Sequence, residues 1–283
     1  MGFRRALPAP LACGLAAVLL LAGCATGSGA DAGSGTPSAQ IQLPPAGGTP
    51  DYQLGGASEP APGVTIVARD RSAAPAPGIY SICYVNGFQT QPGELADWPA
   101  ETLLHDASGE AVRDPAWPDE VLLDTRTAAT RAAIHERVAP WIEECAEAGY
   151  DAVEFDNLDT YTRSAGALSR ADAVELAAAF VATAHAAGLA AGQKNAADDA
   201  ELMRSQAGFD FAVTEECLAF AECGRFTEQY GDHVIDIEYT DELPRPFAEM
   251  CADPAAPRSL VLRDRDLTVP GSPEHVFETC QAR

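Results

Sequence analysis

Within the stretch 150–161, YDAVEFDNLDTY, the six residues 154–159 include three carboxylates, Glu154, Asp156 and Asp159, among residues that otherwise predict a buried strand. Because side chains alternate across a strand, Glu154 and Asp156 share one face, while the apolar residues around them share the other. Both acids come at the end of the run. Paired carboxylates in such a position suit proton transfer or nucleophilic attack.

Other predicted strands also end in polar or acidic residues. A single charge at a strand end usually marks only where solvent begins, but repetition at five or six ends favours a shared site at one rim. The residues are Tyr84 and Asn86, Asp124, Lys194 and Asn195, Glu215 and Glu216 (on opposite faces), and Asp236 and Glu238 (on one face).

Lys194 is the only lysine in the chain, against 17 arginines. A lysine retained in a predicted strand suggests a place that needs a compact ammonium. It could neutralise Glu154 or Asp156, lowering the pKa of one acid while a neighbour stays protonated. A purely structural buried ion pair is the alternative, and it puts Lys194 beside the same carboxylates.

Cleavage of a glycosidic bond requires this kind of acid pair. One carboxylic acid protonates the leaving oxygen, and a second carboxylate attacks the sugar or activates water. The five histidines carry no motif for a nucleophilic triad, and no cysteine or histidine pair has zinc-finger spacing. We therefore expect neither a metal nor another cofactor.

The elements that must position these residues alternate between strands and helices, which predicts a mostly parallel sheet. We expect an α/β fold, a (β/α)8 TIM barrel that is irregular in its first third, where residues 57–63 and 70–78 are too short and proline-rich for helices. A doubly wound sheet is the alternative, but QLGGAS lacks its phosphate-binding spacing. Predicted strands span 51–56, 64–69, 79–86, 120–124, 150–157, 190–195, 209–216, 233–239 and 259–263; predicted helices span 127–148, 169–188 and 197–206.

The amino-terminal region predicts export. Two arginines, a short apolar run and LAGC ending at Cys24 are typical of a lipoprotein signal peptide over 1–23, with Cys24 lipidated. An ordinary cleaved signal is the alternative. Residues 24–48 predict a flexible Gly/Ser/Pro tether, and 49–283 a single barrel domain. We expect a protein anchored by lipid alone to the outer face of the bacterial cell membrane.

The charge composition limits the classes of partner that the protein can bind. The chain has 42 acidic and 18 basic side chains and a net charge of −24, which argues against nucleic acid because phosphate binding needs a basic surface. Solubility or a cationic ligand would each explain the excess. Six cysteines remain after Cys24, and disulfides are expected in an exported chain. The short loop between Cys217 and Cys223 favours that pair.

The chain resembles the endo-α-1,4-polygalactosaminidases of glycoside hydrolase family 114 over residues 51–240. The matching segments are YQLGG at 52–56, CY at 83–84, LLDTR at 122–126, YDAVEFDNLDTY at 150–161, KN at 194–195, FDFAVTEECLAFAEC at 209–223 and IEY at 237–239. The resemblance implies a barrel and a catalytic pair at Asp156 and Glu215. It implies substrate-binding or supporting roles for Glu154, Asn157, Lys194, Asn195, Glu238 and Tyr239; the strand-end pattern adds Tyr84, Asp124 and Asp159.

Two segments depart from the family pattern. ARDRSAAPAPG replaces an acid-rich strand and helix, and VNGFQTQPGELADWP replaces a small-residue turn, bringing Phe88 and Trp98 near the predicted rim. These aromatics would either stack on sugars or cap the barrel.

We therefore expect a glycoside hydrolase that cleaves an α-linked amino-sugar polymer of the polygalactosamine type, with a polysaccharide or oligosaccharide as its partner. A non-catalytic carbohydrate-binding surface lipoprotein with the same barrel is the alternative. A barrel enzyme of different glycan specificity is a third reading.

Overall fold

The computed structural model describes residues 41–280, in which nine strands form one sheet in chain order. The first eight pair in parallel, and the ninth pairs antiparallel to the eighth. The predicted barrel is confirmed. The strands are β1 Pro50–Tyr52, β2 Ile66–Asp70, β3 Tyr80–Asn86, β4 Ala152–Asp156, β5 Ala190–Lys194, β6 Phe211–Glu215, β7 Val234–Tyr239, β8 Ser259–Arg263 and β9 Phe277–Thr279.

The two faces of β4 follow the alternation predicted from its sequence. Val153 and Phe155 are fully buried in the outer core between sheet and helices, where Phe155 stacks on Phe180. Ala152 belongs to the separate cluster that fills the barrel interior. Glu154 and Asp156 continue this inner face toward the carboxyl end, which is the end where barrel enzymes hold their chemistry.

Helices cover the later strands. Thr127 caps the first helix by accepting from the Thr130 backbone, and Gly149 ends it in the left-handed conformation. Ser169 caps the second in the same way. The helices are α1 Ala128–Ala148, α2 Arg170–Ala186, α3 Ala200–Leu202 (continued by a π turn over Met203–Ala207), α4 Cys223–Tyr230 and α5 Phe247–Cys251.

The first third is irregular, as predicted, because no α-helix lies between β1 and β2 or between β2 and β3. The predicted strand at 120–124 is wrong as a barrel strand. Its residues form isolated antiparallel bridges to Gln89, Leu103 and Arg113 within the long connection between β3 and α1. We call residues 87–126 the β3–α1 insertion.

Arg263 joins the two ends of the parallel sheet. Its side chain is 1% exposed and donates to Asp51 Oδ1 at 2.9 Å and to the Tyr52 carbonyl, both on β1. A buried guanidinium needs such partners, because an unpaired charge in the interior is costly. Side-chain bonds therefore link β8 to β1.

All six cysteines beyond Cys24 form disulfides. The predicted Cys217–Cys223 pair is confirmed, and Cys83–Cys145 and Cys251–Cys280 complete the set. The first links β3 to α1, while the third links α5 to the segment that follows β9. Two of the bridges therefore connect elements far apart in the chain.

The predicted signal peptide and Cys24 lie outside the described residues, as does the predicted tether up to residue 40. Residues 41–48, which the composition assigns to the tether, pack against the barrel: Ile41 and Leu43 contact its interior cluster, and Tyr80 donates to the Gln42 carbonyl at 2.7 Å. The packed unit therefore begins before Thr49. Within 41–280, no helix combines the length and apolar character needed to cross a bilayer.

Candidate active site

A cavity of about 560 Å³ opens at the carboxyl ends of the strands. Of the residues expected in the site, eight line it and three do not. Those that line it are Tyr84, Asp156, Asn157, Asp159, Lys194, Asn195, Glu215 and Tyr239. The geometric expectation that Asp156 and Glu215 open onto one cavity is thus met, although they lie on strands that are not neighbours.

Three consecutive strands turn sharply at this cavity. The residue that follows each strand end is left-handed: Asn157 (φ 64°), Asn195 (φ 48°) and Glu216 (φ 61°). Asparagine tolerates this conformation, whereas glutamate is strained in it. Glu216 is held there by Arg265, whose two terminal nitrogens donate to its two carboxylate oxygens at 3.0 and 2.9 Å. In each of these three strands the backbone therefore turns away from the rim immediately after the side chain that lines the cavity, Asp156, Lys194 or Glu215.

Lys194 is the electrostatic centre of the site. Its side chain is almost fully buried, and Nζ lies 3.5 Å from Asp156 Oδ2 and 3.2 Å from Glu215 Oε2. Nζ also donates to the Tyr52 hydroxyl at 2.9 Å. Burial would lower the pKa of Lys194, but the charges of Asp156, Glu215 and Glu154 outweigh it and raise that pKa. The ammonium is therefore permanently charged and shared by several acids.

Glu215 is held as a carboxylate. Tyr239 donates to its Oε1 at 2.5 Å and Asn195 Nδ2 to its Oε2 at 2.9 Å, while Asn195 Oδ1 accepts from the Glu215 backbone at 2.8 Å. Burial would raise the pKa of Glu215, but the Lys194 charge and these donors outweigh it and lower that pKa. Glu215 is thus fixed in position and ionised.

Asp156 faces the same ammonium from β4. The Tyr84 hydroxyl donates to its Oδ2 at 2.9 Å, and the Asn157 backbone donates to its Oδ1 at 2.7 Å. Since oxygens of Asp156 and Glu215 contact one nitrogen at 3.5 and 3.2 Å, they are at most about 7 Å apart. The limit applies to these two oxygens, and it includes the spacing of retaining glycosidases (~5–5.5 Å).

Glu154 does not reach the cavity. It is fully buried one layer below, where Tyr52 donates to its Oε1 at 2.7 Å. Burial raises its pKa to about 7, although the Lys194 charge and the Tyr52 hydrogen bond act in the other direction. A direct substrate contact, which the sequence suggested, is therefore excluded by depth.

Glu238 and Asp124 also lie away from the cavity. Glu238 faces outward from β7, where its Oε1 accepts from the Leu218 backbone at 2.9 Å. Asp124 lies in the β3–α1 insertion and accepts twice from Arg126, at 2.8 and 2.6 Å. Each carboxylate stabilises a local loop, so both are corrected here from substrate-binding to structural positions.

The aromatics expected at the rim are in the core instead. Phe88 is fully buried and packs edge-on against Phe180, and Trp98 packs edge-on against Trp141. The exposed aromatic at the cavity is Trp117, 59% exposed, which the sequence analysis did not single out. Other lining residues that it missed are Asp70, Gln91, Glu120, Arg163, Arg265 and Asp266.

Among residues 41–280, one group has the geometry to hold a metal: Cys217, Cys223 and Asp236. Both sulfurs are already joined in a disulfide, so they are not available as thiolate ligands. The group also lies outside the lining of the cavity. It is therefore a structural cluster rather than a metal centre.

A parallel barrel with two carboxylates around one ammonium at its strand ends is an arrangement suited to sugar-bond hydrolysis. The model of glycoside-hydrolase family GH114 matches residues 31–283, and the chain belongs to this family. The resemblance inferred from the motifs is confirmed, and so is the expected enzyme class, a glycoside hydrolase.

Two solved structures show the same fold. The first is Aspergillus fumigatus Ega3 in complex with galactosamine: TM-score 0.69, 20% identity, covering 85% of this chain and 98% of Ega3. The second is the glycoside hydrolase domain of PelA from Pseudomonas aeruginosa: TM-score 0.56, 14% identity, covering 79% of this chain and 97% of that domain. No curated protein sequence matches the chain.

Proposed function

We propose that this protein hydrolyses a galactosamine-type polymer and that Asp156 and Glu215 are the carboxylate pair that cleaves it. The observation that carries the proposal is their common contact with Lys194 inside one open cavity. Two acids around a shared cation can hold different protonation states, which acid and base roles require.

We propose a double displacement with retention, the mechanism in which the two carboxylates lie close together. In that mechanism one carboxylate attacks the anomeric carbon, and the other protonates the leaving oxygen and then activates water. Asp156 is our candidate nucleophile and Glu215 our candidate acid. Because Glu215 is ionised without substrate, this assignment requires that a bound sugar displace some of its donors and raise its pKa. With the roles exchanged, Glu215 would attack as the carboxylate that it already is.

Charge supports a cationic sugar as the substrate. Carboxylates of Asp70, Glu120 and Asp159 line the cavity, whereas its cations Lys194, Arg163 and Arg265 are engaged in ion pairs. An ammonium-bearing polymer would be attracted to such a surface. A second cavity of about 460 Å³ shares lining residues with the first, which suits a chain longer than one sugar.

The test is release of reducing ends from polygalactosamine by the wild type and by two shape-conserving variants, Asp156→Asn and Glu215→Gln. Each should lose at least a hundredfold in kcat. Glu144→Gln, which changes an exposed residue of helix α1, should match the wild type. Wild-type rates in either site variant would reject the pair. Binding of the polymer without turnover would support the carbohydrate-binding alternative instead.

The roles can be separated with an aryl glycoside whose leaving group needs no protonation. A variant that lacks the acid should retain its first step on this substrate, whereas a variant that lacks the nucleophile should lose it. If Glu215→Gln fails on the aryl glycoside while Asp156→Asn retains the step, the roles are exchanged. NMR detection of the first-formed anomer tests retention.

We further propose that the mature chain begins at Cys24 and is anchored by lipid to the outer face of the cell membrane. The basis is the LAGC sequence at the end of an apolar run. In a bacterial expression host, the wild type should incorporate labelled fatty acid and sediment with membranes. Cys24→Ser should do neither, and labelled Cys24→Ser protein would contradict the proposal.

A further inference from the structure

Trp117 is an exposed indole at the edge of the candidate active site. It is 59% exposed, whereas the other two tryptophans, Trp98 and Trp141, are 5% and 6% exposed. The other large apolar side chains found exposed within residues 41–280, Phe220 and Val269, do not line this cavity. Exposure of a large aromatic surface is unfavourable in water, so its place beside a cavity suggests a ligand.

The turn that presents Trp117 is rigid. Asp114, 3% exposed, accepts from the Ala116 backbone at 2.8 Å and from the Trp117 backbone at 3.2 Å. The Trp117 carbonyl accepts from the Glu120 backbone at 2.9 Å, which closes the turn. Prolines on both sides of the tryptophan further restrict the backbone. The hydrogen bonds and prolines of this turn therefore fix the backbone that presents the exposed indole.

The same turn is bonded to the strand end that carries Asp156. Arg163 donates to Asp114 Oδ2 at 2.5 Å, to Asp159 Oδ1 at 2.7 Å and to Asn157 Oδ1 at 2.7 Å. One guanidinium thus joins the turn to Asn157 and Asp159, which follow Asp156 in the chain. Through it, Trp117 has a fixed position relative to the proposed catalytic carboxylate.

Glu120 adds a polar group at the other end of the turn. It is half-buried in the cavity wall, and its Oε2 accepts from Asn86 Nδ2 at 3.0 Å. Asn86 in turn accepts from Asn157 Nδ2 at 3.0 Å, which links Glu120 to the strand end as well. A carboxylate can accept several bonds, so Glu120 retains capacity toward a ligand.

We propose that Trp117 and Glu120 form a sugar-binding subsite, in which the indole stacks on a ring of the polymer and the carboxylate accepts from its ammonium or hydroxyl group. Aromatic faces are natural partners for the apolar faces of sugars, and a buried acceptor supplies specificity. This inference rests on the proposed function and extends it. The subsite is built by the β3–α1 insertion.

The test compares full-length wild type, Trp117→Ala, Trp117→Phe and Glu120→Gln on α-1,4-linked galactosamine oligosaccharides. Loss of the indole should lower kcat/KM about tenfold, mostly through KM, because stacking acts in ground and transition states alike. Trp117→Phe should recover most of the loss. Glu120→Gln should weaken binding of galactosamine oligosaccharides more than of their N-acetylated counterparts, which carry no ammonium.

Phe220→Ala is the matched control, since it removes an equally exposed aromatic outside the cavity. Thermal unfolding should be unchanged in both alanine variants. Oligosaccharide should also protect the exposed indole of the wild type from quenching by acrylamide. Wild-type kinetics in Trp117→Ala would overturn the subsite and leave the proposed function standing.

Binding without hydrolysis would overturn the proposed function. Comparing the oligosaccharide affinities of Trp117→Ala and the wild type would still decide the subsite. Neither binding nor hydrolysis by the wild type would overturn both.

Discussion

Replacing Lys194 with methionine tests the electrostatic logic of the whole site. Lys194 Nζ is 3.2 Å from Glu215 Oε2 and 3.5 Å from Asp156 Oδ2. At an effective dielectric constant of about 20, a unit charge at these distances contributes about 5 kcal/mol to each carboxylate.

Water in the open cavity screens part of this interaction, since the Glu215 side chain is 29% exposed. We therefore expect the pKa of Glu215 in Lys194→Met to rise from below to above its ordinary value, because burial is then no longer outweighed by the ammonium. The two carboxylates would also repel each other once the ammonium between them is gone. Because Glu215 is the proposed acid, the basic limb of the kcat/KM profile should move to higher pH.

Two measurements check this expectation. Carboxyl ¹³C NMR titration reports the pKa of Glu215 directly and needs no turnover, while the pH dependence of kcat/KM reports its effect on the reaction. Arg258→Met is the control, because it removes a cation from an exposed surface pair with Asp232. A folded Lys194→Met protein with an unchanged Glu215 titration would refute the role assigned to Lys194.

Three further changes follow from the geometry. Glu154→Gln should be more stable than the wild type above pH 7, because the folded pKa of Glu154, about 7, lies above its unfolded value. In the wild type, the stability that protonated Glu154 contributes is fully present below about pH 4 and is lost as the pH rises through 7. Urea unfolding at pH 5 and pH 8 should show a loss of about 3 kcal/mol in the wild type that is absent in Glu154→Gln. Replacing Cys217 and Cys223 by alanine should lower the free energy of unfolding by about 2 kcal/mol, measured with denaturant, because the bridge closes a short loop. Arg265→Gln should reduce kcat about tenfold in steady-state assays by releasing the strained Glu216, and an unchanged kcat would show that the strain has no part in catalysis.

The sequence predicted that the charged ends of β4, β5 and β6 lie at one rim, and in the structure they line one cavity. Asp156, Lys194 and Glu215 each stand last in a strand, on the face opposite the residues that pack against the helices, so alternation oriented them toward the rim of the barrel interior. Parallel strands bring such ends to one side of a barrel. The common site was therefore predictable without knowledge of side-chain contacts.

Glu238 shows where alternation fails. All six residues of β7 are buried, so its sequence pattern does not distinguish the barrel interior from the helix side. Neighbouring residues on a strand face opposite ways, which means that Glu238 and Tyr239 could not both enter the cavity. The structure selects Tyr239, which donates to Glu215.

The β3–α1 insertion was the least predictable region. VLLD at 121–124 has the apolar character of a barrel strand, but its partners are residues of the insertion itself. The exposure of Trp117 depends on the buried Asp114, which gathers donors from three separate segments. Such long-range bonds leave no periodic signal in the chain, so composition gave no indication of which aromatic would face the site.

Depth explains why three carboxylates occur in one short stretch after all. Glu154 lies in the dry interior, where burial raises its pKa to about 7 and its proton can be exchanged near neutrality. Asp156 lies at the floor of the cavity against Lys194, and Asp159 lies at the rim against Arg163. A chain that placed three equivalent carboxylates together would oppose its own folding through repulsion. Because the three carboxylates are spaced along the strand and the turn beyond it, each has a different exposure to solvent and a different partner. Of the three, only Asp156 combines access to substrate with contact to the buried ammonium.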